Sequence, residues 1–245
     1  MEEKLIEEVK GWVRDLVEVF VVLAVIIILS KIFLGANLLL PLVAVTSCSM
    51  YHGGSLLSGA GCQSHSGWDG WLDGRNISVD GLPFYYGFSK GDMIITVTPD
   101  GGGVLLPLFP ETAVGDVVIY NRDKLHPGNE PIIHRVVGLV RVSDWRVEGV
   151  EGTLACLTIE GFNKTYIRHV RDCVEGGECF YRDYPDSGSF NLYITKGDNN
   201  PYPDQCGSNG GIALPVNERQ LVARGWIRIP YLGWLKIALN EIIPL

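Results

Sequence analysis

The chain predicts a mostly β domain with two insertions, preceded by one N-terminal transmembrane helix, and three observations carry that prediction. From Val19 to Ala36 the only polar side chains are Ser30 and Lys31, so the run is apolar on every helical face. Beyond it, short β-branched runs alternate with Gly, Pro, Asn and Asp, the punctuation of strands and turns. All six cysteines and 28 of the 30 glycines follow residue 45, which separates a short apolar piece from a large turn-rich one. With 245 residues and 47% hydrophobic composition the chain is too apolar to be disordered. Its net charge of −8 argues against nucleic acid as a partner, since such binding needs a basic footprint.

The elements follow in order. Residues 16–36 read as a membrane anchor, because helix from Val19 to Ala36 alone reaches roughly 27 Å, close to the hydrocarbon thickness of a bilayer. A cleavable signal peptide normally carries a basic head and begins nearer the terminus, whereas Glu2, Glu3, Glu7 and Glu8 lead this chain; the anchor is read as uncleaved. Lys4, Lys10 and Arg14 precede the span, and after Lys31 no Lys or Arg occurs until Arg75. That bias predicts a single pass through the plasma membrane, with residues 1–15 cytoplasmic and residues 37–230 extracytoplasmic. Cys48, Cys62, Cys156, Cys173, Cys179 and Cys206 then all face an oxidising compartment. Sequence does not choose among their pairings, although Cys173 and Cys179 are close enough to staple a local loop. No CxxC pair is present to support a zinc site.

Strands are predicted over Leu42–Val45, Asp92–Val97, Val117–Tyr120, Ile132–Val140, Thr153–Ile159, Leu192–Thr195 and Gln220–Ile229. Gly91-Asp92 and Gly115-Asp116 read as turns feeding two of them. The outer part contains no helix-period run of comparable strength. Two stretches read as insertions: His52–Gly87, rich in Gly, Ser and aromatic residues, and Arg141–Phe190, expected to form hairpins of its own. Asn76-Ile77-Ser78 and Asn163-Lys164-Thr165 match the glycosylation triplet. The segment 231–245 is apolar apart from Lys236, Asn240 and Glu241, which share one helical face. It is expected to lie at the membrane interface, with packing on the domain's own core as the alternative.

Hydroxyl-based nucleophilic catalysis needs a serine, a base within reach and a group that holds the base. Of His52, His65, His126, His134 and His169, only His134 lies inside a strong strand, on the face shared with Ile132 and Val136. By strand pattern alone, a core histidine with both ring nitrogens satisfied is the more ordinary reading. Ser49 follows the apolar run Leu42–Val45 in Thr46-Ser47-Cys48-Ser49-Met50, where a turn-capping role is common. Ile194-Thr195-Lys196-Gly197-Asp198-Asn199-Asn200 reads as a strand ending in a polar turn, without the ligand spacing of a calcium loop.

The order of these motifs is more specific than any one of them. Ser47-Cys48-Ser49-Met50 outside an anchor is followed by Gly115-Asp116-Val117-Val118, Ile133-His134-Arg135-Val136-Val137 and Lys196-Gly197-Asp198-Asn199-Asn200. Ala223-Arg224-Gly225-Trp226 and Ile229-Pro230-Tyr231-Leu232-Gly233-Trp234 close the series. In this order they resemble the type I signal peptidases of the archaeal and endoplasmic-reticulum branch. The resemblance covers the anchor, Val43–Met50, Lys90–Thr96, Val114–Tyr120, Pro131–Gly138, Tyr193–Asp204 and Leu221–Trp234, and leaves the insertions unmatched. It implies a signal-peptidase-like fold and a serine endopeptidase that removes signal peptides from exported preproteins after small residues. Ser49 would be the nucleophile and His134 the base, and either Asp198 or Asp204 could orient His134. The Ser47 hydroxyl and the Ser49 backbone N–H would form the oxyanion hole. No metal or organic cofactor enters that mechanism. The implied partners are preprotein signal peptides, membrane lipid and the secretion translocon. Family members usually carry proline two residues after the methionine, where this chain has His52, which is itself a rival base. A related protease for pilins or surface proteins, or a non-catalytic anchored β scaffold, are the alternatives.

Overall fold

A computed structural model describes residues 2–35, 41–53, 62–64, 67–101, 109–207 and 211–242. Helix α1 (Glu2–Leu34) is continuous through both the charged leader and the apolar run. It therefore starts well before the expected anchor, and no break separates residues 2–15 from the rest. Its stretch Lys10–Leu34 is long and apolar enough to cross a membrane, and its most apolar window buries nothing against the protein. The helix stops at Leu34 because Gly35 adopts φ +64°, and the Gly35 N–H returns to the Lys31 carbonyl. Ala36, the expected end of the anchor, lies outside the described residues. The Leu34 carbonyl accepts from the Thr98 N–H at 2.8 Å, which ties the helix end to the outer domain.

Eight strands form one curled antiparallel sheet: β1 (Leu42–Ala44), β2 (Met93–Val97), β3 (Val117–Tyr120), β4 (Ile132–Ser143), β5 (Arg146–Gly152), β6 (Phe190–Lys196), β7 (Val216–Asn217) and β8 (Leu221–Ile229). The order is β1-β2-β8-β3-β4-β6-β7, with β5 pairing the far half of β4. The register of β4 with β6 slips between Val136 and Gly138. This extra residue at Val137 resets the alternation. Ile132, Val136 and Leu139 pack with Val118, Tyr120 and Tyr193, whereas Val137, Val140 and Val142 pack on the other face.

The expected strand Thr153–Ile159 is not one. Leu154 and Leu157 instead pack on the core from a turn closed by the Leu157 N–H on the Leu154 carbonyl. The Thr158 hydroxyl then accepts from the Gly161 N–H and starts a helical segment. The second insertion is accordingly a hairpin followed by helix. Asp144 and Trp145, both at positive φ, turn β4 into β5. Three helical pieces follow the turn: a short helix, a π-turn at Phe162–Tyr166 and a helix at Ile167–Val174. The last buries Ile167, Val170 and Cys173 along one face. The first insertion holds α2 (Trp68–Asp73), whose Leu72 enters the same core.

Three disulfides join Cys48 to Cys62, Cys156 to Cys206 and Cys173 to Cys179, the last being the local staple expected from spacing. The Cys156–Cys206 bridge spans 50 residues, a separation worth about 4 kcal/mol in lost chain entropy. The chain closes with a helix at Gly233–Ile242. Its Trp234 ring lies so close to Gly91 that a Cβ there would sit 2.0 Å from the indole nitrogen. The helix thus packs on the domain by Trp234 while Leu235 stays exposed, which combines features of both expectations for this segment.

Candidate active site

Ser49 lies on a tight turn that leaves β1. The Tyr51 N–H bonds the Cys48 carbonyl, and Met50 is buried among Val45, Phe88, Ile94 and Val117. The buried methionine pins the turn and leaves Ser49 partly exposed. The two serine hydroxyls, Ser47 Oγ and Ser49 Oγ, are 3.2 Å apart. A second turn, Gly197–Asn200 at the end of β6, is strapped to the first. The Asn199 N–H donates to the Ser49 carbonyl at 2.7 Å, and its side-chain amide donates to the Cys48 carbonyl at 3.0 Å.

His134 projects from β4 opposite Val118 of β3. Its Nδ1 meets Asp204 Oδ2 at 2.7 Å. The same oxygen accepts from the Thr195 hydroxyl at 2.6 Å and the Tyr120 hydroxyl at 2.8 Å. The Asp204 backbone is held as firmly, donating to the Thr195 carbonyl and accepting from Ile212 and Ala213. His134 Nε2 makes no hydrogen bond among the described residues, and Gly197 lies beside it. A Cβ on Gly197 would come within 2.8 Å of that nitrogen, so only glycine leaves the room. Ser47, Ser49 and His134 line one cavity of about 470 Å³. Its walls are apolar, with Leu42, Ala44, Ile119, Ile133 and Ile237, and Arg122, Glu130 and Lys236 also border it.

Of the two aspartates, only Asp204 contacts His134. Asp198 takes Arg135 in a two-pronged pair, 2.9 Å from Nε and 2.7 Å from NH2, and His52 Nε2 at 2.7 Å. The reason is the strand period: neighbouring residues on β4 point to opposite faces, so His134 and Arg135 each collect one carboxylate. His52 is also excluded as the base, since its Nδ1 is engaged by the Tyr85 carbonyl at 2.8 Å and its Nε2 by Asp198. His126 caps its own loop through Asp123, and His169 packs its ring edge-on against Phe180. His65 lies outside the described residues.

Burial pushes the Asp204 carboxyl up, but the His134 charge and the hydrogen bonds from His134, Thr195 and Tyr120 outweigh it and hold the group below its ordinary value. Asp198 follows the same pattern, with burial opposed by the Arg135 charge and the His52 and Arg135 hydrogen bonds. Burial first, then the Asp204 charge, pushes the Tyr120 phenol well above its usual range, so it remains a donor. Burial pushes the Lys196 ammonium down to about 8, partly opposed by Asp198 and Asp204. Lys196 is nonetheless no rival base: its Nζ bonds the Gly197 and Asp198 carbonyls, and it does not line the cavity.

Two buried carboxyls with lowered folded-state values make folding stability acid-sensitive. An unfolded aspartate binds its proton near pH 4. The stabilisation is therefore complete above that pH and is lost as pH falls through the lower folded values. Each group should contribute a slope of roughly 1.4 kcal/mol per pH unit within that window. Denaturant unfolding measured between pH 5 and 2 should show this slope, and Asp198→Asn should flatten it. An unchanged slope in the variant would remove Asp198 from the account.

Sequence reasoning missed the residues that hold the carboxylates, Tyr120, Thr195 and Arg135, and Asn199, which holds the serine turn. Arg135 had one visible signal, a charged residue in the middle of an apolar strand. Neither the models of known protein families nor the curated proteins give a match to this chain.

Proposed function

We propose that this protein is a membrane-anchored serine endopeptidase of the signal peptidase kind, cutting signal peptides from exported preproteins after small residues. One observation carries the reading: Ser49 and His134 line the same cavity, and Asp204 holds the imidazole from behind through Nδ1. Asp204 fixes Nδ1 as a donor, which leaves Nε2 free to take the Ser49 proton as the hydroxyl attacks the scissile carbonyl. Asp204 then balances the imidazolium. The Ser47 hydroxyl and the Ser49 N–H stabilise the oxyanion, a donor of this kind being worth roughly a hundred- to a thousand-fold in rate. The intermediate collapses to an acyl-enzyme as His134 returns the proton to the leaving amine. Water, activated by the same imidazole, releases the signal peptide.

The cavity walls support this substrate class. The apolar side chains of Leu42, Ala44 and Ile133 on the cavity wall are compatible with small apolar substrate side chains. Among the described residues β1 ends the sheet order with no further strand beside it, which leaves an edge along which an extended peptide could pair. The apolar α1 and the exposed Leu235 of the closing helix fit a single-pass protein whose outer domain lies against lipid, where a preprotein leaves the translocon.

The test is cleavage by the full chain in liposomes. A preprotein with alanine at the last and third-last positions before the cut should be processed after that last alanine. Phenylalanine at the last position should slow processing at least roughly a hundred-fold. Processing of a pilin or surface-protein precursor with the preprotein left intact would move the substrate class. Cleavage of none of them would leave an anchored scaffold.

A further inference from the structure

His52 stands outside the Ser49–His134–Asp204 set, yet its surroundings are built more tightly than a bystander needs. A backbone carbonyl and an ionised carboxylate are both acceptors only. With Tyr85 O at 2.8 Å from Nδ1 and Asp198 Oδ2 at 2.7 Å from Nε2, both ring nitrogens must donate, which takes a ring carrying two N–H hydrogens. The imidazole also stacks on Trp68 with centroids 4.0 Å apart, and Trp68 in turn meets Tyr85 edge-on. Gly87 closes the other side: a Cβ there would come within 2.7 Å of the His52 ring and 2.2 Å of the Met50 carbonyl. Trp68, Tyr85 and Gly87 all belong to the first insertion, the stretch the family resemblance leaves unmatched.

Three chain segments converge on the carboxylate that His52 grips. The nucleophile turn arrives through His52 itself, three residues beyond Ser49. The base strand arrives through Arg135, next to His134 and fully buried. The Gly197–Asn200 turn supplies Asp198, whose N–H points at the Met50 sulfur at 3.4 Å and whose neighbour Asn199 holds the Ser49 carbonyl. No direct hydrogen bond joins Ser49 to His134 among the described residues, so the contacts at Asp198 help set their separation, beside those of Asn199 and Met50.

We propose that His52 is a positioning residue: clamped between Asp198 and the Trp68–Tyr85 wall of the first insertion, it fixes the Ser49 turn against the strand carrying His134. The proposal rests on the peptidase reading above. The clamp holds catalytic geometry and leaves the substrate walls untouched, so its loss lowers kcat more than it raises KM. Displacing a reacting group by about 1 Å costs on the order of a hundred-fold in rate.

The experiment uses the full chain in liposomes with the alanine-bearing preprotein. His52→Phe keeps the stack on Trp68 and deletes both hydrogen bonds. Its kcat should fall roughly a hundred-fold with KM within about threefold of wild type. His52→Gln restores a donor toward Asp198 and should recover part of that loss. Nitrogen-15 NMR of histidine-labelled wild-type protein should show one ring with two slowly exchanging N–H protons, a readout taken on the wild-type chain alone. A His52 ring with one N–H, a wild-type kcat in His52→Phe, or a glutamine variant no better than phenylalanine would overturn the proposal. Failure of the underlying reading looks different: the preprotein would stay intact with wild-type protein, or Ser49→Ala would still cut it.

Discussion

Ser49→Ala should leave preprotein cleavage at background, and His134→Ala should lower kcat by roughly ten-thousand-fold or more, in chains that remain folded. Among the described residues the Ser49 hydroxyl makes one hydrogen bond, to Ser47 across a partly exposed turn, so its removal orphans nothing buried there. His134 is a harder deletion because it leaves a buried carboxylate short of a partner. Asp204 nonetheless keeps the Thr195 and Tyr120 hydroxyls on the same oxygen, which is why the fold should survive. The two losses should also fail to add. Once the nucleophile is gone the base has no proton to take, and the double variant should match Ser49→Ala. Single-turnover cleavage alongside thermal melting separates these effects. A His134→Ala enzyme cutting at the wild-type rate would remove the histidine from the mechanism.

Replacing each aspartate by asparagine should split activity from stability. Asp204→Asn should cost about ten-thousand-fold in kcat with a modest change in melting. The amide either carries no charge to balance the imidazolium or turns its NH2 toward Nδ1, which places the ring hydrogen on Nε2 and blocks proton uptake from Ser49. Asp198→Asn removes the charge partner of Arg135, a guanidinium with no exposure. Breaking such a buried pair costs about 3–5 kcal/mol. The protein should unfold at much lower denaturant while its residual activity, measured where it is folded, falls no further than that of His52→Phe. If Asp198→Asn proved the catalytically dead variant and Asp204→Asn the unstable one, the roles drawn from the distances would be reversed.

Much of this molecule is legible along the chain. The apolar helix and the strands around Ile94, Val118, Ile133, Ile194 and Val222 appear as runs whose residue types allow few other structures. Thr153–Ile159 misleads because its leucines look like strand residues, whereas they pack inward from a turn beside the Cys156–Cys206 bridge. The helix at Ile167–Val174 is hidden by the charges between its buried positions Ile167, Val170 and Cys173. That three-residue spacing was the available signal.

Sequence alone determined the apolar helix, most of the strands, and the order in which a serine, a strand histidine and an aspartate-bearing turn occur. Residue type and local period act over a few neighbours, and those features need no more. Tertiary structure alone decided which aspartate backs His134, which cysteines pair, and that His52 is already engaged on both nitrogens. Each depends on residues brought together across wide sequence separations: His134 with Asp204, Cys156 with Cys206, His52 with Asp198 and Tyr85. The alternation of β4 makes the point most directly. His134 and Arg135 are adjacent in the chain, yet they face opposite sides of the sheet and meet different carboxylates of one short loop.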